Sequence, residues 1–296
     1  MGAVKRALWK WTAVRSLAHL RRARRDVASL DPTRPGQAPV LVYQMAKVGS
    51  STVEATLRAL DPPRRPCLKV HFLSEEGARR ERAYDRQRGG PLYVSYYGAL
   101  AVRLGARLRR LGGALRLPVI SLVRDPIARE VSGLFQIPDF REVSLRDRDG
   151  ALDPTRIVEY LEERLASGGA AGAAERWFDE ELRRVFDVDV FAEPFPRERG
   201  WDVRRSRSAR VLLLRTEDLD RTLGPALARF LDLPKEPAVV RANERSASPD
   251  AAAYAEVRSR LRLHPALVDE IYAQRLPRHF YDAAMLDGFR RRWARA

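Results

Sequence analysis

The stretch Val40-Leu41-Val42-Tyr43-Gln44-Met45-Ala46-Lys47-Val48-Gly49-Ser50-Ser51-Thr52 decides how the chain is read. It opens on an apolar run that predicts a strand over Val40–Gln44, and Val53 to Leu60 follow at helical spacing. A strand, a turn of small residues and a helix N-terminus make an anion cradle. The first-turn N–H groups lack helical partners, and the helix dipole favours negative charge. Gly49 lets the backbone approach closely, Ser50, Ser51 and Thr52 add hydroxyls, and Lys47 adds a point charge. The stretch therefore predicts a bound phosphate or sulfate and, with it, group transfer. A Walker A loop needs Lys directly after its second Gly. Here Lys47 precedes Gly49, and no Gly stands near position 44, which argues against an NTP-hydrolysing loop. A strand–turn–helix without a ligand is the plainer alternative.

Outward from this point, strand and helix patterns alternate. Strands are predicted over Val40–Gln44, Leu68–Phe72, Leu92–Tyr96, Pro118–Val123 and Val211–Leu214, with helices near 51–60, 74–88, 99–111 and 126–136. This alternation predicts an α/β fold with a central parallel sheet covered on both faces, and ligands at the carboxyl ends of its strands. Residues 138–210 break the rhythm. They contain two helical patterns, near 155–167 and 173–186, joined by Ser167-Gly168-Gly169, and then the aromatic stretch Phe191 to Pro196. They read as a helical insertion that shapes an acceptor site. After 216 the pattern is helical to the end.

The 296 residues suffice for one large domain. The single cysteine, Cys67, allows no internal disulfide and fits a reducing compartment. Net charge is +16, and Lys5, Lys10, Lys47, Lys69 and Lys235 are the only lysines among 55 basic residues. In a chain that nearly always uses Arg, each Lys stands out, because a mobile ammonium is not interchangeable with a guanidinium fork. No nucleic-acid motif accompanies the charge, and anionic substrates account for it. One Cys and four scattered His provide no metal cluster.

Residues 1–37 form a basic arm ending in the Pro-rich linker Asp31–Pro39, and 38–296 form the main domain. In the arm Val4, Leu8, Trp11, Val14 and Ala18 recur at helical spacing among arginines. Residues 1–30 read equally as an amphipathic helix on an anionic membrane, a solvated arm, or a helix packed on the domain. No apolar stretch is long enough to span a bilayer and no signal peptide is evident, so a cytoplasmic protein is expected, with peripheral contact at the inner membrane face as the membrane option.

A second anion contact follows the strand ending in Val123. Arg124-Asp125-Pro126 opens a helix, and Ser132 lies eight residues past Arg124. The two can face one pocket and hold a second phosphate, the fork from Arg and the hydroxyl from Ser. Structural roles for each are the alternative.

Together these motifs resemble the sulfotransferases that use 3′-phosphoadenosine 5′-phosphosulfate (PAPS). The resemblance implies that Lys47, Gly49, Ser50, Ser51 and Thr52 cradle the 5′-phosphosulfate while Arg124 and Ser132 hold the 3′-phosphate. It also implies a P-loop-like three-layer sandwich. Arg215-Thr216-Glu217-Asp218-Leu219 is similar to the late strand ending of that family. A closer resemblance is to a bacterial sulfotransferase-like group labelled capsular polysaccharide synthesis proteins. It is carried by Tyr43–Ser51, Trp177-Phe178-Asp179-Glu180-Glu181-Leu182, His279-Phe280-Tyr281 and Arg292-Trp293. The Gly-rich basic loop that closes over the nucleotide in cytosolic sulfotransferases has no counterpart, and Arg241-Ala242-Asn243-Glu244-Arg245 is the candidate substitute.

The chemistry so implied is sulfuryl transfer to a carbohydrate hydroxyl, which rests on positioning and charge stabilisation. Lys47 suits the leaving oxygen. For the base, Leu68-Lys69-Val70-His71 ends the second strand, with Lys69 and His71 on one side. It is similar to the Lys-x-His of cytosolic sulfotransferases, whose His is the base. Glu54 is the alternative, as some carbohydrate sulfotransferases use Glu. His264 and His279 read as structural. The competing functions are a non-catalytic nucleotide-fold scaffold of a polysaccharide assembly complex and an NTP-dependent kinase.

Overall fold

The structure, a computed structural model, describes residues 3–28, 30, 38–60, 66–114, 116–135, 145–242 and 250–295. Most of the predicted linker, 31–37, lies outside these, as does 138–144 of the insertion. A five-stranded sheet forms the centre. Strands β1 (Val40–Tyr43), β2 (Cys67–Val70), β3 (Leu117–Val123) and β5 (Ala209–Arg215) are parallel, and β4 (Trp201–Arg205) lies antiparallel to β5 at the edge. Their order is β2-β1-β3-β5-β4. Every residue of β1 and β3 is buried, which is why both read as unbroken apolar runs rather than as alternation.

Helix α1 (Ala3–Ala28) precedes the sheet, α2 (Ser50–Arg58) follows β1, α3 (Glu75–Gly89) and α4 (Tyr96–Leu111) follow β2, and α5 (Pro126–Leu134) follows β3. Their starts are encoded locally. Ser74 and Ser95 each accept an N–H of the first turn, from Gly77 and Gly98, and Asp125 caps α5 with Pro126 in its first turn. The chain passes from β1 outward to β2 and then returns across β1 to β3. The winding direction therefore reverses between β1 and β3, the place where parallel sheets open a ligand crevice at their carboxyl ends.

Two sequence expectations fail. Leu92–Tyr96 is not a strand: it is a turn and extended segment leading into α4, with Leu92 exposed. Its β-forming side chains mislead because Ser95 is committed to capping α4. The backbone of Val94 then needs other partners, and α1 supplies both. Ser16 Oγ accepts the Val94 N–H at 3.1 Å, and His19 Nδ1 donates to the Val94 carbonyl at 2.9 Å. This fixes which face of α1 packs on α4. Ser16 and Ala23 are buried, whereas Val14 and Ala18 of the expected apolar stripe are exposed. Within that stripe, the side chains of Val4, Leu8 and Trp11 lie outside the described residues. The second failure is β4, which falls within the stretch whose sequence predicts a helical insertion. Asp202, Arg204 and Arg205 hide its alternation, and at the sheet edge their charges are met locally, Arg204 by Glu193 at 2.6 Å and by Asp202 at 3.0 Å.

The rest of the insertion contains α6 (Pro154–Ala166), α7 (Gly169–Trp177), a π-helical stretch over Phe178–Arg183 and α8 (Arg184–Phe186). After β5 come α9 (Leu219–Leu231), α10 (Ala251–Arg260), α11 (Pro265–Ala273), α12 (Arg275–Phe280) and α13 (Ala283–Trp293). No helix among the described residues is long and apolar enough to cross a membrane.

Candidate functional site

A cleft of about 1230 Å³ opens at the carboxyl ends of β1, β2 and β3. Lys47, Gly49, Ser50, Ser51, Lys69, His71, Arg124 and Ser132 all line it. Two other expected site residues do not. Thr52 turns its hydroxyl to the Ala242 N–H at 3.4 Å, and Glu54 pairs with Lys69 at 2.8 Å and Arg58 at 2.7 Å.

The loop between β1 and α2 is held in an unusual shape. Lys47 has φ of 71° and Gly49 φ of 85°, both in the left-handed region. A non-glycine residue there is uncommon and persists when its surroundings enforce it. They do so through the loop carbonyls: Arg124 donates to the Lys47 carbonyl at 3.0 Å, and Thr216 Oγ1 to that of Val48 at 2.7 Å. A Cβ on Gly49 would stand 2.9 Å from Leu219 Cδ1.

The Arg215–Leu219 segment thus acquires a role that its sequence did not reveal, because it buckles the loop to the fold. Besides the Val48 contact, Thr216 Oγ1 reaches the Val123 carbonyl at 2.9 Å. Glu217 accepts the Asp125 N–H at 2.8 Å and the Tyr281 hydroxyl at 3.1 Å. Buried Arg215 binds Asp218, and its NH1 donates to the Phe280 carbonyl at 3.1 Å. Asp125 accepts Tyr272 OH and Trp293 Nε1, each at 2.8 Å. The C-terminal aromatic residues therefore clamp the strand end that carries Arg124. Burial pushes the Glu217 carboxyl up to about 7, and it raises Asp125 as well.

At the end of β2, His71 Nδ1 lies 2.9 Å from the Gln44 carbonyl. A carbonyl only accepts, so Nδ1 carries the proton and Nε2 is left as the basic nitrogen. Burial lowers the imidazole below its ordinary value and keeps it neutral. Its ring leans on Tyr97 at 5.4 Å, and Trp177 Nε1 donates to the His71 carbonyl at 2.9 Å. Burial works against the Lys69 charge, but Glu54 and Tyr97 outweigh it and raise the ammonium above its usual value. Both Glu54 oxygens serve cations, so its place here is beside Lys69 rather than at the reacting centre.

The β3 flank holds more charge than the sequence suggested. Arg129 and Arg164 join Arg124 and Ser132 along the cleft, with Glu130 bridging the two, 2.5 Å from Arg129 and 3.0 Å from Arg164. Burial lowers the Arg129 guanidinium, and the neighbouring Arg164 and Arg124 push it the same way. Sequence reasoning missed both arginines because an Arg carries no contrast in this chain. It also missed Glu81, Tyr84 and Arg88, which line the β2 flank from α3. Arg241 of the candidate closing segment turns away to Asp220 at 2.7 Å, Ala242 borders the cleft, and Asn243, Glu244 and Arg245 lie outside the described residues.

Residues 151–282 match a family profile described as "Putative capsular polysaccharide synthesis protein". That span runs from α6 through α12 and contains the π-helical stretch and the Arg215–Leu219 buckle, but neither the Lys47 loop nor the Arg124–Ser132 segment. No curated protein matches the chain, and no solved structure does.

Proposed function

We propose that the protein transfers a sulfuryl group from PAPS to a carbohydrate hydroxyl in capsular polysaccharide or glycolipid synthesis, on a P-loop-like three-layer sandwich. The observation that carries this reading is that Lys47 and the Arg124–Ser132 pair line one cleft and are joined by the Arg124–Lys47 hydrogen bond. Two anion contacts at a fixed separation suit a nucleotide phosphorylated at two positions, and the donor set fits it: an ammonium, guanidiniums, hydroxyls and a helix N-terminus. Lys47 would meet the charge that develops on the leaving oxygen. His71 Nε2 would take the proton of the acceptor hydroxyl, an effect typically worth about 10²–10⁴-fold. Lys69, held by Glu54, would add positive charge beside His71. Because His71 stays neutral below its ordinary value, the acid limb of the rate profile should lie lower than for a free imidazole. The exposed face of α1, where Val14 and Leu17 stand among arginines, supports peripheral contact with an anionic cytoplasmic membrane face.

The test is calorimetric titration with PAP, the desulfated donor, against ADP. PAP should bind more tightly, and Lys47→Ala and Arg124→Ala should each weaken it about tenfold or more. Equal or absent binding of the two nucleotides, or unchanged PAP affinity in both variants, would sink the proposal.

A further inference from the structure

The β2 flank of the cleft carries a group that the proposed chemistry does not use. Glu81 is only 7% exposed, yet no hydrogen bond or ion pair among the described residues reaches its carboxyl. It nevertheless lines the cleft. The carboxyl oxygens open onto the cleft, so a carboxylate that the described residues leave without a protein partner on this wall is a place where a ligand can supply the bond.

Its neighbours define that partner. Glu81, Tyr84 and Arg88 fall at i, i+3 and i+7 of α3, one helix face, and all three border the cleft. Tyr84 is a large aromatic left 47% exposed. The Arg88 guanidinium lies 5.6 Å from its ring centre. An aromatic face offers apolar contact to the C–H side of a sugar ring, and the face opposite Arg88 is the one to offer it, while the neighbouring carboxylate and guanidinium accept from and donate to hydroxyls. The platform shares the cleft with Lys47, Lys69, His71, Arg124 and Ser132, and Arg88 lies near enough to His71 for its charge to help push the imidazole down.

We infer that the α3 face made by Glu81, Tyr84 and Arg88 is the acceptor platform, and that it takes a pyranose ring laid on Tyr84 with neighbouring hydroxyls held by Glu81 and Arg88. This moves the acceptor from the insertion, where the sequence suggested it, to α3. The inference rests on the donor reading only in assigning the other flank to the nucleotide.

The experiment uses the full chain and the methyl glycosides of glucose, galactose, mannose and glucuronic acid at millimolar concentration, read by saturation-transfer NMR, with PAP calorimetry in parallel. At least one glycoside should bind, with saturation strongest on ring C–H protons. Glu81→Gln should weaken it about tenfold and Tyr84→Ala about fivefold, the losses expected for a charge-assisted hydrogen bond and a ring contact. PAP affinity should be unchanged in both. Lys47→Ala should show the reverse, weakened PAP and intact glycoside binding. The platform is overturned if no glycoside binds, if neither α3 variant alters glycoside binding, or if both weaken PAP instead. Glycoside binding that needs Tyr84 in a protein that ignores PAP would support the platform and defeat the donor reading alone.

Discussion

Two buried glutamates touch α3 and are treated in opposite ways. Glu181, from the π-helical stretch, sits at the start of the helix and accepts four hydrogen bonds, three on Oε2 and one on Oε1. It accepts the Leu73 N–H at 2.8 Å, the Ser74 N–H at 2.9 Å, the Ser74 hydroxyl at 2.6 Å and the Tyr43 hydroxyl. Glu81, nearly two turns further along, has no hydrogen bond or ion pair among the described residues and lines the cleft. A carboxylate saturated by the fold is a fastener: it ties β1, α3 and the insertion into one body, and little of it is left for a ligand. A buried carboxyl left unsatisfied is a cost to the fold that a ligand can relieve. The π-helical geometry serves the first purpose, since the extra residue per turn of such stretches re-aims side chains. Gly77 leaves the room, because a Cβ there would stand 2.1 Å from Glu181 Oε1.

The contrast is broken most sharply at Glu181. Glu181→Ala would strand Tyr43 OH and the Leu73 and Ser74 N–H groups in a dry interior. The expected loss is about 3–5 kcal/mol, the range for removing one member of a buried polar cluster. Urea unfolding monitored by tryptophan fluorescence measures it. A loss below about 1 kcal/mol would mean that water reaches the cluster, and the fastener would be no more than a surface contact.

Glu217 offers the second way, through pH. Its carboxyl, pushed by burial to about 7, binds a proton in the folded protein that the unfolded chain has already released above about 4.5. The folded state therefore holds the extra proton in that window, and stability falls as pH rises from about 4.5 to about 7. The shift corresponds to roughly 3 kcal/mol at about 1.4 kcal/mol per unit. Glu217→Gln should flatten most of this slope and raise stability at pH 8 relative to the parent chain. An unchanged slope would show that the Asp125–Glu217 pair is not the source. Raised Asp125 acts with the same sign.

The contrast also separates what the sequence reveals from what it conceals. The Lys47 loop was legible because its information is local: a strand, a glycine and three hydroxyls in consecutive positions lead into α2. Arg124 and Ser132 were legible as a pair for the same reason. The Arg215–Leu219 buckle was visible as a motif but not as a device, since its partners, Val48, Val123 and Phe280, are brought together only by the sheet order and the last helices. Glu81 was invisible. Nothing around it in sequence distinguishes it from the solvated acids of an amphipathic helix, and only the packing of α3 in the fold buries it. The false strand at Leu92–Tyr96 shows the converse failure, where strong local propensity gave way to a helix cap and to contacts from α1.

The loop offers a third, smaller perturbation. Gly49→Ala forces an L-residue into the left-handed region, at a cost of about 1 kcal/mol, and brings Cβ to 2.9 Å from Leu219 Cδ1. A total of about 2 kcal/mol in unfolding stability is expected, together with weaker PAP binding. A variant as stable as the parent and with the same PAP affinity would show that the loop is not held by Thr216 and Leu219 in the shape that the cleft requires.

The smallest effect, like that of Glu217→Gln at high pH, is a gain in stability. Burial raises the Glu81 carboxyl to about 7, with Asp85 adding to the rise and Arg88 opposing it. At pH 8 the folded protein must hold this partly desolvated carboxylate ionised with no hydrogen bond from the described residues, so Glu81→Gln should stabilise it. The gain should be about 1 kcal/mol rather than the full value of the shift, because the carboxyl borders an open cleft where water screens it. At pH 5 the Glu81 carboxyl is neutral in the folded state, and the gain should shrink toward zero. The measurement is urea unfolding at the two pH values. A substitution that strengthens the fold while weakening a sugar ligand is the signature of a group retained for binding. Destabilisation at pH 8 would instead put Glu81 in the same class as Glu181, as a fastener whose partner is supplied by the fold.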